Sequence, residues 1–161
     1  MKIYYREKSG GIEILRCFGI EGRVEIPGMI DDKLVISAAP YAFSSHMDEK
    51  EELKNASLWE VSDGLEFGRE GHVLAGNDVE EIVFPYTLKE IGRYIFYGCG
   101  NLKKLEFSDS LMQIGCGAFT GCHALEKLTV HMRQGKKSGV KEMLGEMWQR
   151  IDVNFLYKYE E

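Results

Sequence analysis

The sequence predicts a short solenoid, in which repeated coils stack between a β-hairpin at the N-terminal end and an α-helix at the C-terminal end. Three observations indicate this fold class. Part of the chain repeats itself with a 23-residue period, glycine accounts for 18 of the 161 residues, and both ends carry patterns that differ from the repeat. Glycine at about 11%, where roughly 7% is usual, indicates many tight turns.

The repeat is clearest between residues 82–104 and residues 105–127, which align without a gap. Nine of the 23 aligned positions are identical, against roughly one or two expected from composition. The identical positions are mostly apolar residues and glycines, the classes that core packing and tight turns require. They are Phe84/Phe107, Leu88/Leu111, Ile91/Ile114, Gly92/Gly115, Phe96/Phe119, Gly98/Gly121, Cys99/Cys122, Leu102/Leu125 and Lys104/Lys127.

Two less exact copies lie upstream. In a first copy at 24–46, Ile26-Pro27 corresponds to Phe84-Pro85, and Tyr41-Ala42-Phe43 corresponds to Tyr94-Ile95-Phe96. Extending the same period upstream of the clear repeat also predicts a degenerate turn at 57–81, which keeps apolar residues but lacks the Ile-Gly and Gly-Cys signatures. Its apolar residues are Val61, Leu65, Val73 and Val79.

Each coil contains one short strand with a single buried face. Leu105 and Phe107 alternate with polar neighbours, which is typical of such a strand. Gly92 and Gly115 suit a bend that a side chain would obstruct, and a phenylalanine then returns to the interior. Since one coil cannot bury its own apolar face, we expect parallel strands stacked about 4.8 Å apart.

This pattern resembles the BspA-like leucine-rich repeat family. Residues 111–130 carry Leu-x-x-Ile-Gly-x-x-Ala-Phe-x-Gly-Cys-x-x-Leu-x-x-Leu-x-Val, residues 88–107 depart at Ile95, and the first copy has Ser45-His46 in place of Gly-Cys. The resemblance covers roughly 24–130. It implies a leucine-rich repeat solenoid with short parallel β-strands and irregular or 3-10 convex turns. It also implies a role in protein or ligand adhesion, often on bacterial surfaces.

The ends of the chain are predicted to cover the ends of the solenoid. Residues 1–23 form an N-terminal hairpin cap around Ser9-Gly10-Gly11, and the solenoid follows at 24–134. In 135–161, Ser138 is a candidate N-cap for an amphipathic helix, followed by a strand from Ile151. The helix either caps the core or binds a partner's groove. Its apolar stripe is Val140, Met143, Leu144, Met147, Trp148 and Ile151. The final strand is either an edge strand or the start of a truncated further domain.

Composition and motifs argue against several classes of function. A net charge of −6 and a pI near 5.3 disfavour nucleic acid as a partner. No nucleophile and base, paired carboxylates or phosphate loop occurs at a diagnostic spacing, so we expect no enzyme and no cofactor. Cys99 and Cys122 fall on adjacent coils near His46, where a disulfide or a zinc site is conceivable. Small buried thiols are the favoured interpretation.

The expected location follows from the first residues and from hydropathy. The N-terminal segment has no unbroken apolar run of the length that a signal peptide needs, and no segment approaches a membrane span. We therefore expect a cytoplasmic protein with reduced cysteines. A cell-surface location is the alternative if the chain is a fragment of an exported protein.

The outward side chains of the strands form the candidate binding surface. They are Glu81, Val83, Lys104, Glu106, Lys127 and Thr129. Glu81 beside Lys104 would attract, and Lys104 beside Lys127 would repel. We expect a protein-binding module with an unidentified protein partner. The alternatives are a structural or regulatory scaffold unit attached to a downstream domain and, less favoured, an enzyme of unknown class.

Overall fold

The computed structural model describes residues 1–61, 71–133, 139–145 and 151–158. Within them the chain forms two β-sheets, two short α-helices and one 3-10 helix. In chain order the elements are β1 (Lys2–Lys8), β2 (Gly11–Gly19), β3 (Arg23–Glu25), β4 (Met29–Ile30), β5 (Lys33–Ala38), α1 (Glu49–Glu52), β6 (Ser57–Glu60), β7 (His72–Val73), the 3-10 helix (Gly76–Asp78), β8 (Glu81–Val83), β9 (Glu90–Ile91), β10 (Lys104–Ser108), β11 (Gln113–Ile114), β12 (Lys127–Arg133), α2 (Val140–Leu144) and β13 (Asp152–Lys158).

The predicted stack of parallel strands is confirmed. β3, β8, β10, β12 and β13 lie side by side in that order and are all parallel. Lys104 pairs in register with Glu81 on one side and with Lys127 on the other. Leu105 and Phe107 are buried while Lys104 is exposed. The period of the repeat therefore corresponds to one step across this sheet.

Each coil also contributes to a second parallel column. Ala38, Ile91 and Ile114 are register partners on β5, β9 and β11. Immediately after these strands, a Cβ atom on Gly92 would lie 2.3 Å from the Pro40 nitrogen, and one on Gly115 would lie 2.2 Å from the Arg93 nitrogen. Neighbouring coils meet backbone to backbone here, so the bend tolerates no side chain.

The phenylalanines of the repeat form a ladder through the core. The Phe43 and Phe96 ring centroids are 6.1 Å apart, and those of Phe96 and Phe119 are 5.7 Å apart. Phe43 and Phe96 are fully buried, whereas Phe119 is partly buried at the C-terminal end of the ladder. Equivalent positions of successive coils thus have congruent surroundings, as the repeat predicts.

The segment 57–81 differs from the degenerate turn that its apolar spacing predicts. β6 pairs antiparallel with β1, and β7 pairs antiparallel with β2. β8 pairs directly with β3, so the first copy stacks on the 82–104 coil without an intervening strand. Val79 is buried, but Val61 is 46% exposed, and Leu65 lies outside the described residues. This corrects the expectation, since β6 and β7 join the hairpin strands instead of forming a coil, whereas Glu81 lies on β8 of the first column.

The N-terminal hairpin has the predicted antiparallel pairing, but it extends one of the sheets of the solenoid by direct strand pairing. β1 and β2 pair across the turn at Ser9 and Gly10, both of which have positive φ angles. β2 also pairs in parallel with β5, which makes it an additional strand of the second column. The hairpin therefore continues a solenoid sheet, because β2 has neighbouring strands along both of its edges.

The C-terminal region adds another strand to the first column. α2 spans Val140–Leu144 with Gly139 as its N-cap, and Val140 and Leu144 are buried. The expected N-cap at Ser138 and the expected helix residues Met147 and Trp148 lie outside the described residues. β13 then runs parallel to β12 over seven residue pairs and lies at the edge of the sheet. No helix in the described part of the chain is long and apolar enough to cross a membrane.

Candidate protein-interaction face

The outward side chains of β3, β8, β10, β12 and β13 form a surface that we call the strand face. The parallel register aligns the six predicted residues in two columns, as expected from the repeat. Glu81, Lys104 and Lys127 form the first column, and Val83, Glu106 and Thr129 form the second. All six are half-buried or exposed, in contrast to the buried residues between them.

The strand face is wider than the six predicted residues. β3 extends the two columns with Arg23 and Glu25, and β13 extends them with Asp152 and Asn154. The alignment of Ile26 with Phe84 could have identified Arg23 and Glu25, since both precede that position by a fixed offset. The step along the chain from Lys127 to Asp152 is longer than the step from Lys104 to Lys127, so the strict period does not reach β13.

The ion pairs on the strand face differ from the pair between Glu81 and Lys104 that the sequence predicts. Arg23 Nη1 donates to Glu25 Oε2 at 3.0 Å, and Arg23 Nε lies 3.6 Å from Glu81 Oε1. The pKa of the Arg23 guanidinium is raised, first by its hydrogen bond to Glu25 and further by the charges of Glu81 and Glu106. Glu81 thus contacts Arg23, and three carboxylates surround one guanidinium.

Lys104 and Lys127 are register neighbours with the same charge. Both are exposed, and neither forms an ion pair with another residue of the described ranges. Like charges directly opposite on adjacent strands destabilise a sheet by some tenths of a kcal/mol, about 0.2–1. Each lysine has a carboxylate as its other register neighbour, Glu81 beside Lys104 and Asp152 beside Lys127, so the like-charge contact lies within a row of mixed charges.

Glu106 is held by a histidine from the next strand. His131 Nε2 contacts Glu106 Oε1, and the His131 ring centroid lies 5.0 Å from that of Tyr86. His131 Nδ1 is buried without a hydrogen-bond partner among the described residues. The His131 ring is therefore held between the Glu106 carboxylate and the Tyr86 ring.

An open groove of about 750 Å³ lies between β6 and the strand face. Its walls are mainly apolar, and Tyr86 and Val61 are about half exposed, at 50% and 46%. The lining residues are Met1, Arg23, Glu25, Ile26, Pro27, Gly28, Trp59, Val61, Val83, Phe84, Pro85, Tyr86 and Glu106. Sequence reasoning placed Val83 and Glu106 on a surface but missed Trp59, because it assigned 57–81 to a coil.

Cys99 and Cys122 are packing residues. Cys99 Sγ donates to the Phe43 carbonyl at 3.1 Å, and Cys122 Sγ donates to the Phe96 carbonyl at 3.3 Å. Desolvation by burial raises the pKa of both thiols to about 12, which leaves little thiolate near neutral pH. His46 packs edge-on against Tyr97, with 4.8 Å between the two ring centroids. Across the described ranges, no group of three His, Cys, Asp or Glu residues could hold a metal ion.

Comparisons with known proteins agree with this architecture. The family model described as "BspA type Leucine rich repeat region (6 copies)" matches residues 71–139. A leucine rich cell surface protein from Faecalibacterium prausnitzii A2-165 is similar in structure, with a TM-score of 0.51 and 18% identity over 81% of this chain and 31% of that chain. The chain thus spans about a third of that protein's length. This likeness is one of fold.

A second solved structure, the Leucine Rich Repeat protein of T. pallidum, has a TM-score of 0.38 and 21% identity, covering 97% of this chain and 79% of that chain. No curated protein matches the chain.

Proposed function

We propose that this protein, whose residues 71–139 match the model of a BspA type leucine-rich repeat region, is a non-enzymatic module that binds another protein through the strand face. The observation that carries the proposal is the alignment of outward side chains in straight columns across five parallel strands. A solenoid holds such columns on a rigid backbone, so little conformational entropy is lost when a partner binds.

The adjacent lysines support a partner with an acidic segment. Lys104 and Lys127 are like charges on neighbouring strands, and neither forms an ion pair within the described ranges. A carboxylate placed between them would turn that repulsion into two attractive contacts. Lysines at an interface rim contribute more to association rate and specificity than to the total affinity.

The proposal is tested by affinity capture with the purified chain and a matched pair of variants. Lys104→Ala with Lys127→Ala should weaken partner capture at least about tenfold, which corresponds to about 1.4 kcal/mol. The control is Lys54→Ala with Lys89→Ala, which removes the same charge from two exposed lysines away from the strand face. Capture that is equally strong with both double variants, with unchanged thermal unfolding, would refute binding through the strand face.

A scaffold role is the second candidate, and β13 favours it. Val153 and Phe155 are half-buried, whereas their register partners Leu128 and Val130 are fully buried. Leu156 on the same strand is 47% exposed. Within the described ranges β13 lies at the edge of the sheet, where a further structural unit could stack in parallel.

Residence in a reducing compartment is part of the proposal. It is supported by Cys99 and Cys122, whose thiols each donate to a separate backbone carbonyl. A cell-surface location is the alternative, since the similar protein from F. prausnitzii is described as a cell surface protein.

A further inference from the structure

The turns that connect the two strand columns are joined from coil to coil by backbone hydrogen bonds. The Phe96 N–H donates to the Ala118 carbonyl at 3.1 Å, and the Phe43 N–H donates to the Ile95 carbonyl at 3.0 Å. These donors and acceptors occupy equivalent positions of the repeat. Each turn therefore offers its carbonyls to the turn of the preceding coil.

The turn of the first copy lies at the end of this ladder, so its carbonyls need a different donor. Ala42 and Ser44 hold the positions equivalent to Ile95 and Tyr97. Arg16 Nη1 donates to the Ala42 carbonyl at 3.2 Å and to the Ser44 carbonyl at 2.6 Å. The Arg16 guanidinium thus replaces the backbone donors of a coil that would precede the first copy.

This position makes Arg16 a buried charge. Its side chain is 3% exposed, and its Nε donates to Glu49 Oε1 at 3.1 Å. Burial lowers the pKa of the Arg16 guanidinium, and the hydrogen bond to Glu49 acts against that effect. In the described ranges, Glu49 is the carboxylate that pairs with Arg16. A buried charge that loses its partner is costly, so the fold favours the state in which Glu49 contacts Arg16.

Glu49 lies in a segment that has little other attachment. We call residues 47–55 the strap, which contains α1 and the turn that follows it. All residues of the strap are described, and none of them is buried. Within the described ranges, its one hydrogen bond to a residue distant in the sequence joins Glu49 and Arg16, while the others lie inside the strap or reach its neighbours Ser44 and Ala56. A segment with so little burial opens at a low free-energy cost while the core stays folded.

We propose that the strap opens and closes over the end of the coil stack, with the ion pair between Glu49 and Arg16 as its latch. In the closed state the Glu49 carboxylate neutralises the guanidinium. In the open state Arg16 keeps its contacts with the turn carbonyls, and its Nε is left to water or to an anion. An anion bound there stabilises the open state, because Glu49 occupies the same position in the closed one. The device goes beyond the proposed binding role, since neither Arg16 nor the strap contributes to the strand face.

Cleavage by trypsin after Lys54 reports how often the strap is open. The rate of proteolysis follows the population of the locally opened chain when opening is fast. Glu49→Gln removes the charge of the latch, so cleavage after Lys54 should become about tenfold faster. Glu51→Gln is the matched control, because it removes the same charge from α1 and leaves the contacts of Arg16 in place. Its cleavage rate should equal that of the unsubstituted chain.

Further measurements separate the latch from other effects. Synthetic peptides of residues 45–60 that carry each substitution give the intrinsic cleavage rates, by which the rates of the folded chains are divided. Cleavage after Lys104 and Lys127, followed by mass spectrometry of the fragments, should stay slow in both variants because the coils remain folded. Sodium chloride screens the latch, and its chloride competes for Arg16. Raising its concentration should therefore speed cleavage after Lys54 in the unsubstituted chain, with much less effect on Glu49→Gln.

Three results would overturn the latch. The first is equal cleavage after Lys54 in the Glu49→Gln and Glu51→Gln variants. The second is an equal acceleration after Lys54, Lys104 and Lys127, which would assign the ion pair to the stability of the whole fold. The third is a cleavage rate of the unsubstituted chain that salt leaves unchanged. This last measurement needs no substitution, so it tests the proposal even if Glu49→Gln fails to fold.

Discussion

The coils at 82–127 and the N-terminal hairpin belong to continuous sheets, yet they are stabilised in different ways. In the coils the buried residues are apolar and recur with the period of the repeat, with Phe96 stacked against Phe119. In the hairpin, β2 buries Glu13 and Arg16 along with its apolar residues. The coils therefore depend on congruent packing, and the hairpin depends on specific polar contacts as well.

The buried charges of β2 tie the hairpin strands to each other and to the first copy at 24–46. Glu13 accepts hydrogen bonds from Arg6, Lys8 and Ser37, each at 2.9 Å. Arg16 donates to the Ser44 carbonyl at 2.6 Å and to other carbonyls of the same turn. Buried charges at such junctions are stable only when their partners are present. A repeated motif therefore specifies how its own coils stack, whereas the contact between the coils and the hairpin depends on individual residues that the motif does not contain.

Truncation of the phenylalanine ladder should have the largest effect. Phe96→Ala removes a fully buried ring that lies between Phe43 and Phe119, and it should lower the free energy of unfolding by about 3–5 kcal/mol. Phe119→Ala should cost less, because that ring is only partly buried. Urea unfolding of both variants measures the difference. An equal or larger loss for Phe119→Ala would contradict a ladder that is best packed at its centre.

Substitution of a repeat glycine should come next. In Gly115→Ala the new methyl would lie 2.2 Å from the Arg93 nitrogen, and backbone cannot rotate away as a side chain can. We expect a loss of about 3 kcal/mol, near the upper end of overpacking effects.

Gly28→Ala is the control for the glycine prediction. Its methyl would meet Pro85 Cβ at an ordinary 3.7 Å, and Gly28 has no positive φ angle. Thermal unfolding of Gly28→Ala should therefore stay close to that of the unsubstituted chain. A Gly115→Ala variant as stable as Gly28→Ala would show that the coils can separate locally without loss.

The glycine contact also explains which parts of the fold the sequence could predict. Between 82 and 130, apolar spacing and the Ile-Gly pairs agree, and the strands and core phenylalanines follow from the period. In 57–81 the apolar spacing persists, but the Ile-Gly pair is absent. Apolar periodicity without the glycine was therefore insufficient evidence for a coil.

The candidate site was predictable to the extent that it follows the repeat. Outward residues such as Lys104 and Lys127 are identified by alternation within a strand and by the constant step between strands. Trp59 is brought to the groove by antiparallel pairing of β6 with β1, which no local pattern encodes. Likewise, Glu13 alternates with Ile12 and Ile14 as an outward residue would, but contacts from β1 and β5 bury it.

The smallest effect is expected at Glu13, and it depends on pH. Desolvation by burial raises the pKa of Glu13, but hydrogen bonds from Lys8, Ser37 and Arg6 outweigh it and hold the pKa below its ordinary value. Because the folded-state pKa is lowered, this carboxylate stabilises the fold fully above its unfolded-state pKa, near 4.5. Its contribution is lost as pH falls through the folded-state value.

Glu13→Gln should therefore lower the free energy of unfolding by about 1–2 kcal/mol at neutral pH, since Gln keeps an acceptor but loses the charge. Urea unfolding at several pH values should show this deficit shrinking as pH falls below the ordinary glutamate range. Glu7→Gln is the matched control, because Glu7 is 61% exposed and its ion pair with Lys33 lies at the surface. It should change stability by no more than about 0.5–1 kcal/mol. If Glu13→Gln behaved like Glu7→Gln at every pH, the hairpin would be held by apolar packing alone, and the contrast with the coils would disappear.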